Sequence, residues 1–164
     1  MEKSGFRINA GYVIGTLLFA AILIVIVVMK PLSFFHVRGS SMNPTLYEDD
    51  LVFCLNTKNL DYEDIVAFKH NDTIMIKRVI GKGGDSITID EEGNVYRNDE
   101  LLEEEYVEKK GRGNPDVEYP YLVPENTYFV LGDNRTDSLD SRNIIIGSVK
   151  EVDIIGKILF KNKK

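Results

Sequence analysis

Residues 11–29, GYVIGTLLFAAILIVIVVM, form a run of nineteen without a single charge, and no other feature limits the possible folds as strongly. Wound as an α-helix at 1.5 Å per residue, such a run reaches across a hydrocarbon core of about 30 Å. A transmembrane anchor is therefore expected over 11–29. A cleaved signal peptide is the rival reading, since Lys3 and Arg7 look like a basic leader region. The run exceeds the usual apolar region of roughly 7–15 residues, however, and no small-x-small site follows it. Charge does not fix the orientation. Lys3, Arg7 and the α-amine precede the run, Lys30 and Arg38 follow it, and the positive-inside count is nearly tied.

Without its first thirty residues the chain keeps 17 basic and 25 acidic side chains, a net charge of −8. Such a body is a poor partner for nucleic acid and gains nothing from anionic lipid. Contact with a lipid bilayer would come through the anchor and nearby apolar side chains. The lone cysteine, Cys54 in LVFCL, permits no internal disulfide and reads as a packed core thiol.

From residue 31 the pattern changes to short blocks rich in β-branched and aromatic residues, among them DLVFCL, DIVAFKH, TIMIKRVI, SITID and TYFVLG, separated by Gly, Asn, Asp or Pro. The expected fold is an all-β domain, mixed or antiparallel, over 31–164. Residues 86–102 read as a hairpin turning at Glu92-Gly93-Asn94. Residues 103–124, charged and carrying Gly111, Gly113, Pro115 and Pro120, read as an exposed excursion.

Three clusters could carry chemistry. GSSMNPTL, with Gly39 and Pro44 bracketing polar residues, is alone only a turn. In IMIKRVIG, strand alternation puts Met75, Lys77 and Val79 on one face and Ile74, Ile76 and Arg78 on the other. An exposed, snorkelling lysine is the usual outcome, yet Lys77 has an apolar residue at each i±2 position, an arrangement that would desolvate an ammonium and lower its pKa. GDNRTDSLDSR concentrates three acids, two arginines and two serines, which read singly as a solvated turn with surface ion pairs. His36 and His70 lack a nucleophile elbow or a marked acidic partner. Two histidines 34 positions apart and one cysteine match no metal-ligand spacing, so no metal and no cofactor is expected.

In this order, an anchor, Ser-Met-x-Pro-Thr-Leu, Lys-Arg-Val-Ile-Gly with Gly-Asp behind it, and Gly-Asp-Asn-Arg-x-x-Ser-x-Asp-Ser-Arg, the chain resembles the bacterial type I signal peptidases from the anchor through Val149. VYRNDELLEEEY is similar to a hairpin motif of that family. The resemblance implies a single-pass membrane protein with 1–10 in the cytoplasm and a β-domain on the extracytoplasmic side. It implies an endopeptidase that cuts signal peptides from exported preproteins with a serine and a lysine.

Carried over residue by residue, it implies that Ser41 is the nucleophile and Lys77 the general base. Ser138 would hydrogen-bond the lysine amine. Asp140 and Arg142 would pair to hold the third cluster, with Asp133 and Arg78 in similar support. Phe35, Val37, Met42, Leu46, Met75 and Ile76 would line shallow pockets for the small side chains before the cut. The Ser41 backbone N–H would be one oxyanion donor. A second is supplied in some members by a serine two positions before the nucleophile; here that position is Gly39, and water or another backbone group is expected to fill the place.

A weak serine hydroxyl needs a base that is largely neutral at working pH, and an unperturbed lysine near 10.4 is neutral only about one part in a thousand at pH 7.4. A different class, a membrane-anchored assembly factor or chaperone that keeps the fold for binding alone, is the alternative. A self-cleaving repressor also uses serine and lysine, but such proteins are cytosolic and carry a DNA-binding module. Oligomeric state does not follow from the sequence.

Overall fold

The structure, a computed structural model, describes residues 10–29 and 32–162. The segment expected over 1–10 lies, but for Ala10, outside these residues. Two compact units are present, Met1–Leu32 and Ser33–Lys164. In the first, Ala10–Met29 is one α-helix of 20 residues (α1). Among the described residues no helix is long and apolar enough to cross a membrane. The uncharged sequence run is longer than the stretch over which side chains are described, so the fold does not establish an anchor.

The second unit is mostly antiparallel β-structure. Its strands are β1 (Leu32–His36), β2 (Leu51–Leu55), β3 (Ile65–His70), β4 (Thr73–Lys82), β5 (Ser86–Ile89), β6 (Val95–Arg97), β7 (Glu100–Leu101), β8 (Tyr121–Leu122), β9 (Thr127–Leu131), β10 (Val149–Lys150) and β11 (Ile154–Asn162). The larger sheet has the order β1-β2-β11-β3-β4-β9-β10, the smaller β7-β6-β5-β8. Alternation along β3 shows why the large sheet is buried on both faces. Val66 and Phe68 pack with Val79, Val130, Ile146 and Ile154, while Ala67 packs with Val37, Met42, Val52 and Ile158. A third cluster joins the sheets, with Ile80, Phe129 and Leu131 meeting Ile87, Ile89, Val95 and Val123.

Cys54 belongs to the second cluster, and burial pushes its thiol up to about 11, which makes it an inert packing residue. Strands β5 and β6 form a hairpin closed by Asp90 and Asn94, with the Asn94 N–H donating to the Asp90 carboxylate at 2.7 Å. The segment 103–124 differs from the exposed excursion expected there. Glu104 and Val123 are buried, Tyr119 and Tyr121 pack on the third cluster, and β8 pairs with β5. The reason is the period-2 pattern of Tyr119, Tyr121 and Val123, which turns one face inward to cover the small sheet.

Two features of this topology position the site. Only the second half of β4 pairs with β9, from Arg78 opposite Leu131 to Lys82 opposite Tyr128. The first half, Thr73–Lys77, is paired on its β3 side alone among the described residues. At Gly132 the chain leaves β9 and returns. Ser141 N–H donates to the Val130 carbonyl at 3.0 Å, and Val130 N–H donates to Ser141 Oγ at 2.9 Å.

Truncating Phe129, fully buried between the sheets, is expected to cost about 3–5 kcal/mol as Phe129→Ala. Ile144→Ser, at a side chain 72% exposed, should stay within about 0.5 kcal/mol. Denaturation of the detergent-solubilised chain measures both.

Candidate active site

The turn after β1 and the middle of β4 bring two distant residues into contact. Lys77 Nζ lies 2.7 Å from Ser41 Oγ, thirty-six positions away, and donates to the Ile76 carbonyl at 3.1 Å. Lys77 is 4% exposed. Burial is the main reason that its pKa falls from 10.5 to about 8; the Asp140 and Asp133 carboxylates oppose the fall, and the Arg142 guanidinium adds to it. At that value about one lysine in five is neutral at pH 7.4. Burial therefore supplies a neutral amine beside a serine hydroxyl.

Ser41 is held from both sides. Asn43 N–H closes the turn onto the Ser40 carbonyl at 3.0 Å, and Asn134 N–H donates to the Ser41 carbonyl at 3.1 Å. Gly132 makes this approach possible. A Cβ there would lie 2.5 Å from the Ser41 carbonyl oxygen and would collide with the Ser138 side chain. Ser40 Oγ donates to the Asp137 carboxylate at 2.7 Å, tying the turn to the returning loop a second time.

The loop 132–142 is built on three arginine–carboxylate pairs, each buried. Arg78 grips Asp133 through Nε (2.8 Å) and Nη2 (2.5 Å), and Thr45 Oγ1 donates to the same carboxylate. The Arg78 guanidinium also stacks 3.9 Å from the centre of the Tyr106 ring. Arg142 donates to Asp140 through Nε (2.8 Å) and Nη2 (2.9 Å), while Asp140 accepts the Gly132 N–H at 2.9 Å. Arg135 donates to Glu104 through Nη1 (2.8 Å) and Nη2 (2.5 Å), and its Nε reaches the Gly132 carbonyl at 3.0 Å. The forked guanidinium suits all three, because it satisfies both carboxylate oxygens at once.

An open groove of about 940 Å³ surrounds the serine–lysine contact. Phe35, Val37, Met42, Met75 and Ile76 line it, with Asp137 and Leu139 contributed by the loop. Two expectations do not survive. Leu46 does not line the groove; it is 2% exposed and packs in the core beside Met42, because the turn Met42–Leu46 folds it inward with Leu46 N–H on the Met42 carbonyl. The Ser138 hydroxyl does not bond to Lys77. Its oxygen is buried without a hydrogen-bond partner, since the loop's pairs seat it against Gly132 while the amine bonds to Ser41 and the Ile76 carbonyl.

Gly39 has φ +78°, with open space where a side chain would project. Only the left-handed backbone, which serine rarely adopts, disfavours a hydroxyl there. Sequence reasoning missed Glu104, Arg135, Tyr106 and Thr45. Arg135 stood in the third cluster among acids that could have paired with it, and nothing distinguished Glu104 from its neighbours in the run EEE.

Residues 10–162 match the family model described as signal peptidase, peptidase S26. The chain is 34% identical to Signal peptidase I P of Bacillus subtilis subsp. natto, in an alignment that covers 87% of this chain and 83% of that one. It is also 34% identical to Signal peptidase I U of Bacillus subtilis (strain 168), over 94% of this chain and 87% of that one. A crystal structure of a signal peptidase I from Enterococcus faecalis V583 superposes with a TM-score of 0.52 at 30% identity, covering 62% of this chain and 97% of that one.

Because Glu104 and Arg135 are each 1% exposed at the side chain, Glu104→Ala strands a buried guanidinium and is expected to cost about 3–5 kcal/mol. Glu91→Ala breaks the pair with Arg112, in which Glu91 is 82% exposed, and should cost less than about 1 kcal/mol. Urea titration of the two variants reads the difference.

Proposed function

Since the chain belongs to the signal peptidase family, peptidase S26, we propose that it is a membrane-anchored serine endopeptidase that removes signal peptides from exported preproteins. The observation that carries the mechanism is the 2.7 Å contact between Ser41 Oγ and a Lys77 amine shifted to about 8.

In this reading Ser41 Oγ attacks the scissile carbonyl as Lys77 Nζ takes its proton. The tetrahedral oxyanion is met by the Ser41 backbone N–H, which donates to no acceptor among the described residues. As the C–N bond breaks, Lys77 returns the proton to the departing amine, leaving the signal peptide esterified to Ser41. Lys77 then deprotonates a water that hydrolyses the ester. Asp133, Arg78, Asp140 and Arg142 keep the loop against the catalytic turn. The Gly39 backbone disfavours a side-chain donor, so water or another backbone group serves as the second oxyanion donor.

Substrate recognition follows from the groove. A peptide laid along the unpaired edge of Thr73–Lys77 presents alternate side chains to one face. Phe35, Val37, Met42, Met75 and Ile76 leave shallow apolar room for small residues at the first and third positions before the cut. The uncharged α1 is read as the anchor, about 30 Å long over 20 residues. With the β-domain extracytoplasmic, it would hold the site near membrane-inserted signal peptides and raise their effective concentration.

With the detergent-solubilised chain and a preprotein, Ser41→Ala and Lys77→Met are each expected to lower cleavage by at least about 100-fold. Full activity in either variant contradicts the dyad. Wild-type cleavage should rise with pH through a midpoint near 8, as Lys77 loses its proton. The same shift has a consequence for stability. Unfolding restores the amine's ordinary proton affinity, so stability climbs as pH rises from about 8 to 10.5, and at pH 7 the buried ammonium costs up to about 3 kcal/mol. Lys77→Met should therefore be inactive yet more stable than wild type at pH 7, as thermal denaturation would record.

A further inference from the structure

The groove has a neighbour. A second cavity, about 470 Å³, opens on the loop 132–142, and Asp137 and Leu139 line both spaces. These two are also the only residues that the loop contributes to the groove lining. A peptide chain bound across Ser41 must continue beyond the scissile bond. In the cleavage reading the apolar pocket residues of β1 and β4 take the side before the cut, which leaves the adjoining cavity, sharing Asp137 and Leu139 with the groove, to receive the other side.

Its chemistry differs from that of the groove. Asn114, Thr136, Ser138 and Asn143 give it a polar wall. Such a wall offers side-chain donors and acceptors to the peptide groups of an extended chain. Two guanidiniums also reach this wall, but both are committed. Arg135 is held by Glu104, and Arg142 by Asp140 and by the carbonyls of Arg135, Gly111 and Arg112. Asp137 is left as the exposed charge on the lining, its carboxylate accepting a neutral hydrogen bond from Ser40 Oγ.

We infer that this cavity is the subsite for the residues of the mature chain just after the cut, and that Asp137 makes it select against acidic side chains there. The inference rests on the cleavage reading above. Because Asp137 is exposed, the dielectric around it is close to that of water, where like charges about 3–6 Å apart repel by an amount equivalent to about three- to tenfold in rate.

The test uses three fluorogenic peptides, identical except for Lys, Gln or Glu at the second and third positions after the cut. They are cleaved by the full chain in non-ionic detergent at low salt. The Lys peptide should exceed the Glu peptide in kcat/KM by about three- to tenfold. Asp137→Asn should bring this ratio close to one, Asp137→Lys should invert it, and Glu92→Gln, which removes one exposed acid from the β5–β6 turn, should leave it unchanged. Equal rates in the wild type, a preference that persists in Asp137→Lys, or a Glu92→Gln effect as large as that of Asp137→Asn would overturn the inference. No cleavage of the Gln peptide would overturn the cleavage reading and this inference with it, an outcome distinct from cleavage without charge preference.

Discussion

A lysine amine withdrawn from water is unfavourable as an ammonium, and the fold arranges its site around that cost. Lys77 sits in the middle of β4, flanked by Met75 and Val79, in a sheet covered on both faces. Nothing there solvates a charge as water would, and the nearest carboxylates offset burial only in part. The amine is thereby far more often neutral than an exposed lysine, next to a hydroxyl whose proton its neutral form can accept. Asp140 and Asp133 could cancel this effect if they faced the lysine unpaired. Each instead carries an arginine, so the acids that shape the loop do not restore the lysine's ordinary proton affinity.

The three buried arginine–carboxylate pairs are the second constraint. Buried pairs are weak evidence for net stability, because desolvation offsets their attraction, but removing one partner is costly. Their value here is geometric. Arg78–Asp133 joins β4 to the start of the loop, Arg142–Asp140 fixes its end and captures the Gly132 N–H, and Arg135–Glu104 pins its middle to the segment after the hairpin. Gly132 lies where all three meet, close enough to the Ser41 carbonyl that no side chain fits. The loop is thus set in close contact with the turn that carries Ser41.

Much of this was legible from residue order. Short β-branched blocks announced the strands, and alternation put apolar residues on either side of Lys77, which is why its desolvation could be argued before any geometry. The pairing of Arg78 with Asp133 and of Arg142 with Asp140 was implied only by resemblance to a known family. Glu104 could not be singled out, because burial depends on which of three adjacent acids the chain turns inward. Leu46 and Ser138 show a related limit: a motif fixes which residues lie near a site, but a side chain's direction is set by packing. The inward period of Tyr119, Tyr121 and Val123 was present in the sequence and was masked by the charges and prolines around it.

The central claim is that burial, and not a neighbouring histidine or acid, makes Lys77 a base for Ser41. It is tested most directly by titrating the lysine itself: the full chain carrying ε-13C-lysine is followed by NMR across pH 6–12, with the Lys77 resonance identified by its absence in Lys77→Met. The account predicts a midpoint of about 8. A midpoint near the ordinary 10.5 would contradict it.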